Sequence, residues 1–139
     1  MSLTKQWVHQ HPLMGRYSSS KMKAQLGNFG SDLPESGPLQ KKILEIFSPM
    51  EKAVGWRRLW LALAKAQHAL GMEITEKQIQ IQQNLLRKVD LEACAAEEKL
   101  TRHDVMAHLH VLKDQMNSIQ EDSAKHLHLG ATSCFVTDN

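Results

Sequence analysis

The stretch DLEACAAEEKLTRHDVMAHLHVLKDQM, Asp90 to Met116, decides the fold class. No glycine or proline interrupts it, and Asp90 is of a type that caps helix N-termini. Val105, Leu109, Leu112 and Met116 recur at i, i+4, i+7 and i+11, one apolar stripe of a helix. The reading is one long helix over about residues 90–116. His103, Ala107 and His110 fall on a second face, flanked by Asp104. From Val105 to Leu112 there is no Lys, Arg, Asp or Glu. A surface helix keeps a charged face, so this segment is predicted to be buried on most sides, by its own domain or by partner subunits.

Outward from this stretch lie two polar clusters. Arg102, His103 and Asp104 are consecutive, and His128, Thr132 and Ser133 surround Gly130. Each has a structural reading: a histidine hydrogen-bonded to a carboxylate, a solvated Arg–Asp pair, and a Ser/Thr helix cap. Each also has a binding reading. Arginine, histidine and two hydroxyls suit a polyanion, and a glycine lets the backbone turn sharply or approach a ligand. If a helix starts after Ser133, its N–H groups add to that attraction.

Toward the N-terminus, Trp56 to Leu70 reads as a helix with Trp56, Leu59, Leu63 and Ala66 or Leu70 on one stripe, Trp60 beside it and Gly71 as the residue after its C-cap. Arg57 and Arg58 read as a solvated face, and His68 as exposed. Thr75 and Gln78 form a capping box for a helix running to about Arg87, with its glutamines outward. Leu39 to Phe47 is a short helix ending at Ser48-Pro49. Residues 117–122 are a turn, and Ser123 to Leu127 one helical turn leading into His128. Residues 27–38 hold three glycines and two prolines, the composition of a flexible loop, and residues 1–11 are polar and frayed. Strand-like alternation never persists. The expected fold is all-α, four to five helices in one domain over residues 1–139.

The net charge of +2 argues against nucleic acid as a partner. Residues 1–58 carry 9 Lys/Arg against 4 Asp/Glu, a mild basic bias that suits an anionic ligand. Cys94 and Cys134 are the only cysteines, which fits a reducing compartment. No signal peptide is visible, and the longest apolar run, Leu59 to Ala64, is too short to span a membrane. A cytoplasmic protein is the expectation. His103, His108 and His110 contain no i, i+4 pair, and neither Glu-x-x-His nor Cys-x-x-Cys occurs, so no metal site is expected. Ser133 lacks the Gly-x-Ser-x-Gly setting of a nucleophile.

Arg-His-Asp-Val-Met-Ala-His (102–108) followed by His-Leu-Gly-Ala-Thr-Ser-Cys-Phe-Val (128–136) strongly resembles the adenylosuccinate lyases of animals, within the fumarase/aspartase superfamily. Pro12 to Met22 is similar to that family's N-terminal Arg-Tyr motif. Ile46 to Ala69 is similar to its first long helix, and Leu70 to Ile79 to the turn and short helix after it. The chain departs from the family pattern in the 27–38 insertion, in a longer connector between the two clusters, and at His126, where an apolar residue is expected.

The resemblance implies the N-terminal domain of a lyase that eliminates fumarate from adenylosuccinate, giving AMP, and from SAICAR, giving AICAR. It implies a homotetramer and no cofactor. Residue by residue, it gives Arg16 and Tyr17 to the substrate phosphate, Arg102, His103 and Asp104 to the nucleotide, and Thr132 and Ser133 to the succinyl carboxylates. His128 would support them from behind. The family's general-acid histidine, general-base serine and central helical bundle match nothing in these residues. No catalytic proton-transfer residue is therefore assigned, and the 139 residues alone are expected to be inactive. The alternative is a non-catalytic helical assembly or interaction module derived from the lyase.

Overall fold

The computed structural model describes Lys42 and residues 45–139. The chain divides after Lys52 into two compact units, 1–52 and 53–139. Arg16, Tyr17, the 27–38 insertion and most of the helix expected over 39–47 lie outside the described residues. Of that helix, Lys42, Glu45 and Ile46 are helical, and the backbone turns at Phe47.

Among the described residues the structure is all-α, as expected. The helices are α1 (Pro49–Ala69), α2 (Glu76–Asn84), α3 (Leu91–Thr101), α4 (Asp104–Ile119) and α5 (Cys134–Thr137). Pro49 opens α1, where its missing N–H costs nothing, and the Glu51 N–H donates to Ser48 Oγ at 3.2 Å. Gly71, at φ +85°, ends the helix. Its N–H donates to the His68 carbonyl at 2.9 Å, and the next N–H to the Gln67 carbonyl at 3.1 Å, a Schellman closure. The capping box of α2 forms in both directions: Gln78 N–H donates to Thr75 Oγ1 at 3.3 Å, and Thr75 N–H to Gln78 Oε1 at 2.8 Å. Asp90 caps α3 by accepting from Ala93 N–H at 2.9 Å.

The single helix expected over 90–116 is two helices. α3 stops at Thr101, and Arg102 adopts the left-handed region at φ +52°. The cause is local polar competition for backbone groups. Thr101 Oγ1 bonds the Glu97 carbonyl at 3.1 Å, and the His103 ring accepts from Met106 N–H at 3.4 Å, so His103 caps a new helix. The two helices fold back on each other. Cys94 Sγ meets His108 Nδ1 at 3.4 Å, and Glu97 Oε1 meets His110 Nδ1 at 2.7 Å.

Within the second unit the core gathers Trp56 and Trp60 of α1, Ile81 of α2, Leu85, the α4 stripe Val105, Leu109, Leu112 and Met116, then Ala124 and Val136. The α4 stripe is therefore the one read from the sequence. A smaller cluster joins Leu61, Ile74 and Ile79.

The buried face of α1 is rotated from the expected one: Ala53, Trp56, Trp60 and Ala64 line it, while Leu59 and Leu63 are half-buried and Leu70 is 85% exposed. Small alanines let a neighbour approach closely, and the two indoles fill the remaining volume at 6.5 Å, edge to face. Arg57 is also buried rather than solvated. Its guanidinium donates to the Leu85 carbonyl, to the Lys88 carbonyl at 3.2 Å and to Gln115 Oε1 at 2.9 Å. It satisfies carbonyls released where α2 ends. Burial lowers its pKa. The same burial pushes the Cys94 thiol up to about 11, against the pull of Arg57. Gln82 is buried rather than outward, and His68 is half-buried with Nδ1 2.6 Å from the Ile74 carbonyl.

Candidate functional site

The first cluster is the hinge between α3 and α4. Arg102 is exposed, and its N–H closes α3 on the Glu98 carbonyl at 2.8 Å. The side chains of His103 and Asp104 are 45% and 44% exposed, with His103 Nδ1 3.8 Å from Asp104 Oδ1. His103 Nδ1 accepts from Met106 N–H, which leaves the neutral ring's proton on Nε2. Asp104 Oδ1 accepts from Val105 N–H at 2.8 Å, a favourable place for a carboxylate at a helix N-terminus. The hinge thus presents a guanidinium and an imidazole N–H, while the carboxylate orders the backbone.

The second cluster follows a run of tight turns over residues 121–130. Asp122, His128 and Gly130 take positive φ values of 61°, 60° and 75°. A Cβ at Gly130 would meet nothing within 4 Å, so this glycine serves the turn. Three helices fasten the run. From α2, Gln78 Nε2 donates to the Asp122 carbonyl at 3.3 Å, and Gln82 Oε1 pairs with His126 Nε2 at 2.9 Å. From α1, Trp60 Nε1 donates to His128 Nδ1 at 3.0 Å, and Gln67 Nε2 to the Leu129 carbonyl at 2.8 Å. From α4, Asn117 Oδ1 accepts from Ala124 N–H at 3.3 Å.

His128 also meets Trp60 edge to face, ring centres 6.0 Å apart. Its pKa is lowered, first by burial and then by the charge of His103. Thr132 is exposed and Ser133 half-buried. The expected helix after Ser133 is α5, only four residues long, and Ser133 makes no side-chain cap bond. So short a helix has little dipole, and the pull on an anion falls to the hydroxyls rather than to a helix terminus. The buried Val136 ties α5 to the core.

Arg102 and His103 on the hinge, and His128, Thr132 and Ser133 on the turn run, offer a guanidinium and hydrogen-bond donors on elements fixed by packing, groups that suit an anionic ligand. Among the described residues no group of three or more His, Cys, Asp or Glu is placed to hold a metal ion. Nor is any described helix long and apolar enough to cross a membrane.

Sequence reasoning missed the support beneath the site: Trp60, Gln67, Gln82 and His126. The signal for Trp60 was its i, i+4 pairing with Trp56. The signal for His126 was a histidine where an apolar residue was expected.

No family model matches the chain. Curated relatives do. The chain is 37% identical over 131 residues to the adenylosuccinate lyase of Schistosoma mansoni, covering 94% of this chain and 22% of that protein. It is 35% identical over 131 residues to the adenylosuccinate lyase of Saccharomyces cerevisiae, covering 92% of this chain and 22% of the relative. Over 98 residues it is 38% identical to the adenylosuccinate lyase of Caenorhabditis briggsae, covering 70% of this chain and 20% of the relative. The chain therefore spans about a fifth of the length of the relatives it matches, and along that stretch it belongs to the adenylosuccinate lyase family.

Proposed function

We propose that these residues are a substrate-binding part of an adenylosuccinate lyase, corresponding to its N-terminal domain. The observation that carries the reading is that the family-like turn cluster is built on the helical core of a chain similar to adenylosuccinate lyases, with Trp60 Nε1 donating to His128 Nδ1 at 3.0 Å. The proposed reaction of the whole protein is loss of fumarate from adenylosuccinate to give AMP, and from SAICAR to give AICAR. A proton leaves the carbon beside a carboxylate, the C–N bond breaks, and the departing nitrogen gains a proton. The carbanionic intermediate adds negative charge to a substrate that already carries phosphate and two carboxylates. A site rich in cations and hydrogen-bond donors stabilises that charge most where it accumulates.

In this proposal Arg102 and His103 contact the nucleotide, and Asp104 orders the hinge that presents them. Thr132 and Ser133 donate to the succinyl carboxylates, and His128 supports them from beneath. Arg16 and Tyr17 hold the phosphate. The proton-transfer residues come from elsewhere in the whole enzyme, a cytoplasmic homotetramer, so the 139 residues bind without turning over.

Calorimetric titration of the chain with AMP and with adenylosuccinate tests this. The expected result is saturable binding that weakens at least tenfold in Arg102→Ala and in Ser133→Ala, with no fumarate released. Equal binding in both folded variants, or fumarate release by the chain alone, contradicts it.

A further inference from the structure

His128 stands at φ +60°, a conformation that non-glycine residues adopt only when their surroundings impose it. Its own side chain is held by Trp60, and the residue after it by Gln67. On the side before it, Leu127 packs against the core, and the nearest side-chain hydrogen bond is that of a buried polar pair two residues upstream. His126 and Gln82 are 5% and 1% exposed, and His126 Nε2 lies 2.9 Å from Gln82 Oε1 across 44 residues of sequence. An amide oxygen only accepts, so the imidazole Nε2–H is the donor.

Gln82 falls in sequence between Ile81 and Leu85, and His126 two residues after Ala124, all three of them core residues, so each buried polar side chain stands where an apolar one would leave no polar group to satisfy. The remaining polar atoms, Gln82 Nε2, His126 Nδ1 and Ser123 Oγ, are buried and make no hydrogen bond within the protein. For stability alone this is a poor arrangement, since buried polar atoms without partners are costly. What the pair adds is direction. Gln78 holds the start of the turn run to α2 through an exposed hydrogen bond, and the Gln82–His126 bond adds a buried one four residues nearer to His128.

We propose that Gln82 and His126 are positioning residues of the anion site: their hydrogen bond sets the register of residues 121–130 so that His128 Nδ1 reaches Trp60. This rests on the binding role proposed above only for its effect on ligand affinity. Its effect on the Trp60–His128 hydrogen bond stands without it.

The test uses the whole chain in three forms: native, His126→Gln, and the double variant Gln82→Leu with His126→Leu, which replaces the pair by apolar packing. Two readings are taken on folded protein. One is hydrogen exchange and chemical shift of the Trp60 indole N–H by NMR, and the other is AMP affinity by calorimetry. In the double variant the indole N–H is expected to exchange at least tenfold faster, and AMP to bind about tenfold more weakly, even where thermal stability equals that of the native chain. His126→Gln, which keeps a donor for Gln82, is expected to restore most of both. Should the double variant not fold, Gln82→Met serves in its place with the same expectation. Native-like indole exchange in the folded variant overturns the inference. An absence of AMP binding to the native chain counts against the binding role alone, because the indole reading still decides the positioning.

Discussion

At the scale of single residues, the sharpest feature is Arg102 in the left-handed region at φ +52°. A side chain there costs about 1–2 kcal/mol, and glycine avoids the cost but adds entropy to the unfolded chain. Arg102→Gly is therefore expected to change unfolding free energy by less than about 1 kcal/mol, while Arg102→Val, β-branched, loses about 1–2 kcal/mol. Urea denaturation of both variants measures this; equal losses would mean the hinge is not set by backbone conformation. That the helix breaks here was not legible in the sequence. Neither glycine nor proline marks the break, and the stripe from Val105 to Met116 is clean enough to suggest continuity upstream. The weaker signal was Thr101, His103 and Asp104 together, three side chains that compete for backbone hydrogen bonds. Arg57 was illegible for another reason. Its partners are carbonyls 28 and 31 residues away, freed by a helix end that the local sequence does not announce.

Among the elements, those with local causes were read well. The α4 stripe, the Asp90 cap, the Gly71 closure and the Thr75–Gln78 box depend on residues within about three turns of each other. Thr75→Ala removes one half of that box and is expected to cost about 0.5–2 kcal/mol in chemical denaturation, with the slope of the transition unchanged. A loss near zero would mean that Ile74 and Ile79, packed in the same small cluster, hold the start of α2 unaided. The rotated face of α1 shows where local reading ends. Leu59 and Leu63 are the more hydrophobic choice, yet Ala53 and Ala64 line the buried face, because close approach of the neighbouring elements and the bulk of Trp56 and Trp60 decide the fit.

For the whole molecule, two histidines with lowered pKa make stability depend on pH. Burial lowers the pKa of His126, and burial with the charge of His103 lowers that of His128. Unfolded, each titrates near ~6.5, so between the folded and unfolded values the unfolded chain binds more protons. Their contribution is complete above about pH 6.5 and is lost as pH falls through the folded values. The urea midpoint is expected to be lower at pH 5.5 than at pH 7.5, and to fall less in the Gln82→Leu, His126→Leu double variant. An identical fall in both would remove His126 as a cause. Substituting the core instead tests packing: Leu112 is fully buried, and Leu112→Ala is expected to cost about 2–5 kcal/mol.

The proposal that the hinge cluster and the turn cluster share one site is tested most directly by the titration of His128. The imidazole signals of His128 are followed by NMR against pH in the native chain and in His103→Ala. A His128 pKa below the ordinary histidine value is expected in the native chain, with a rise when the His103 charge is removed. A His128 titration unchanged by His103→Ala would contradict it, leaving two separate polar clusters on one helical fold.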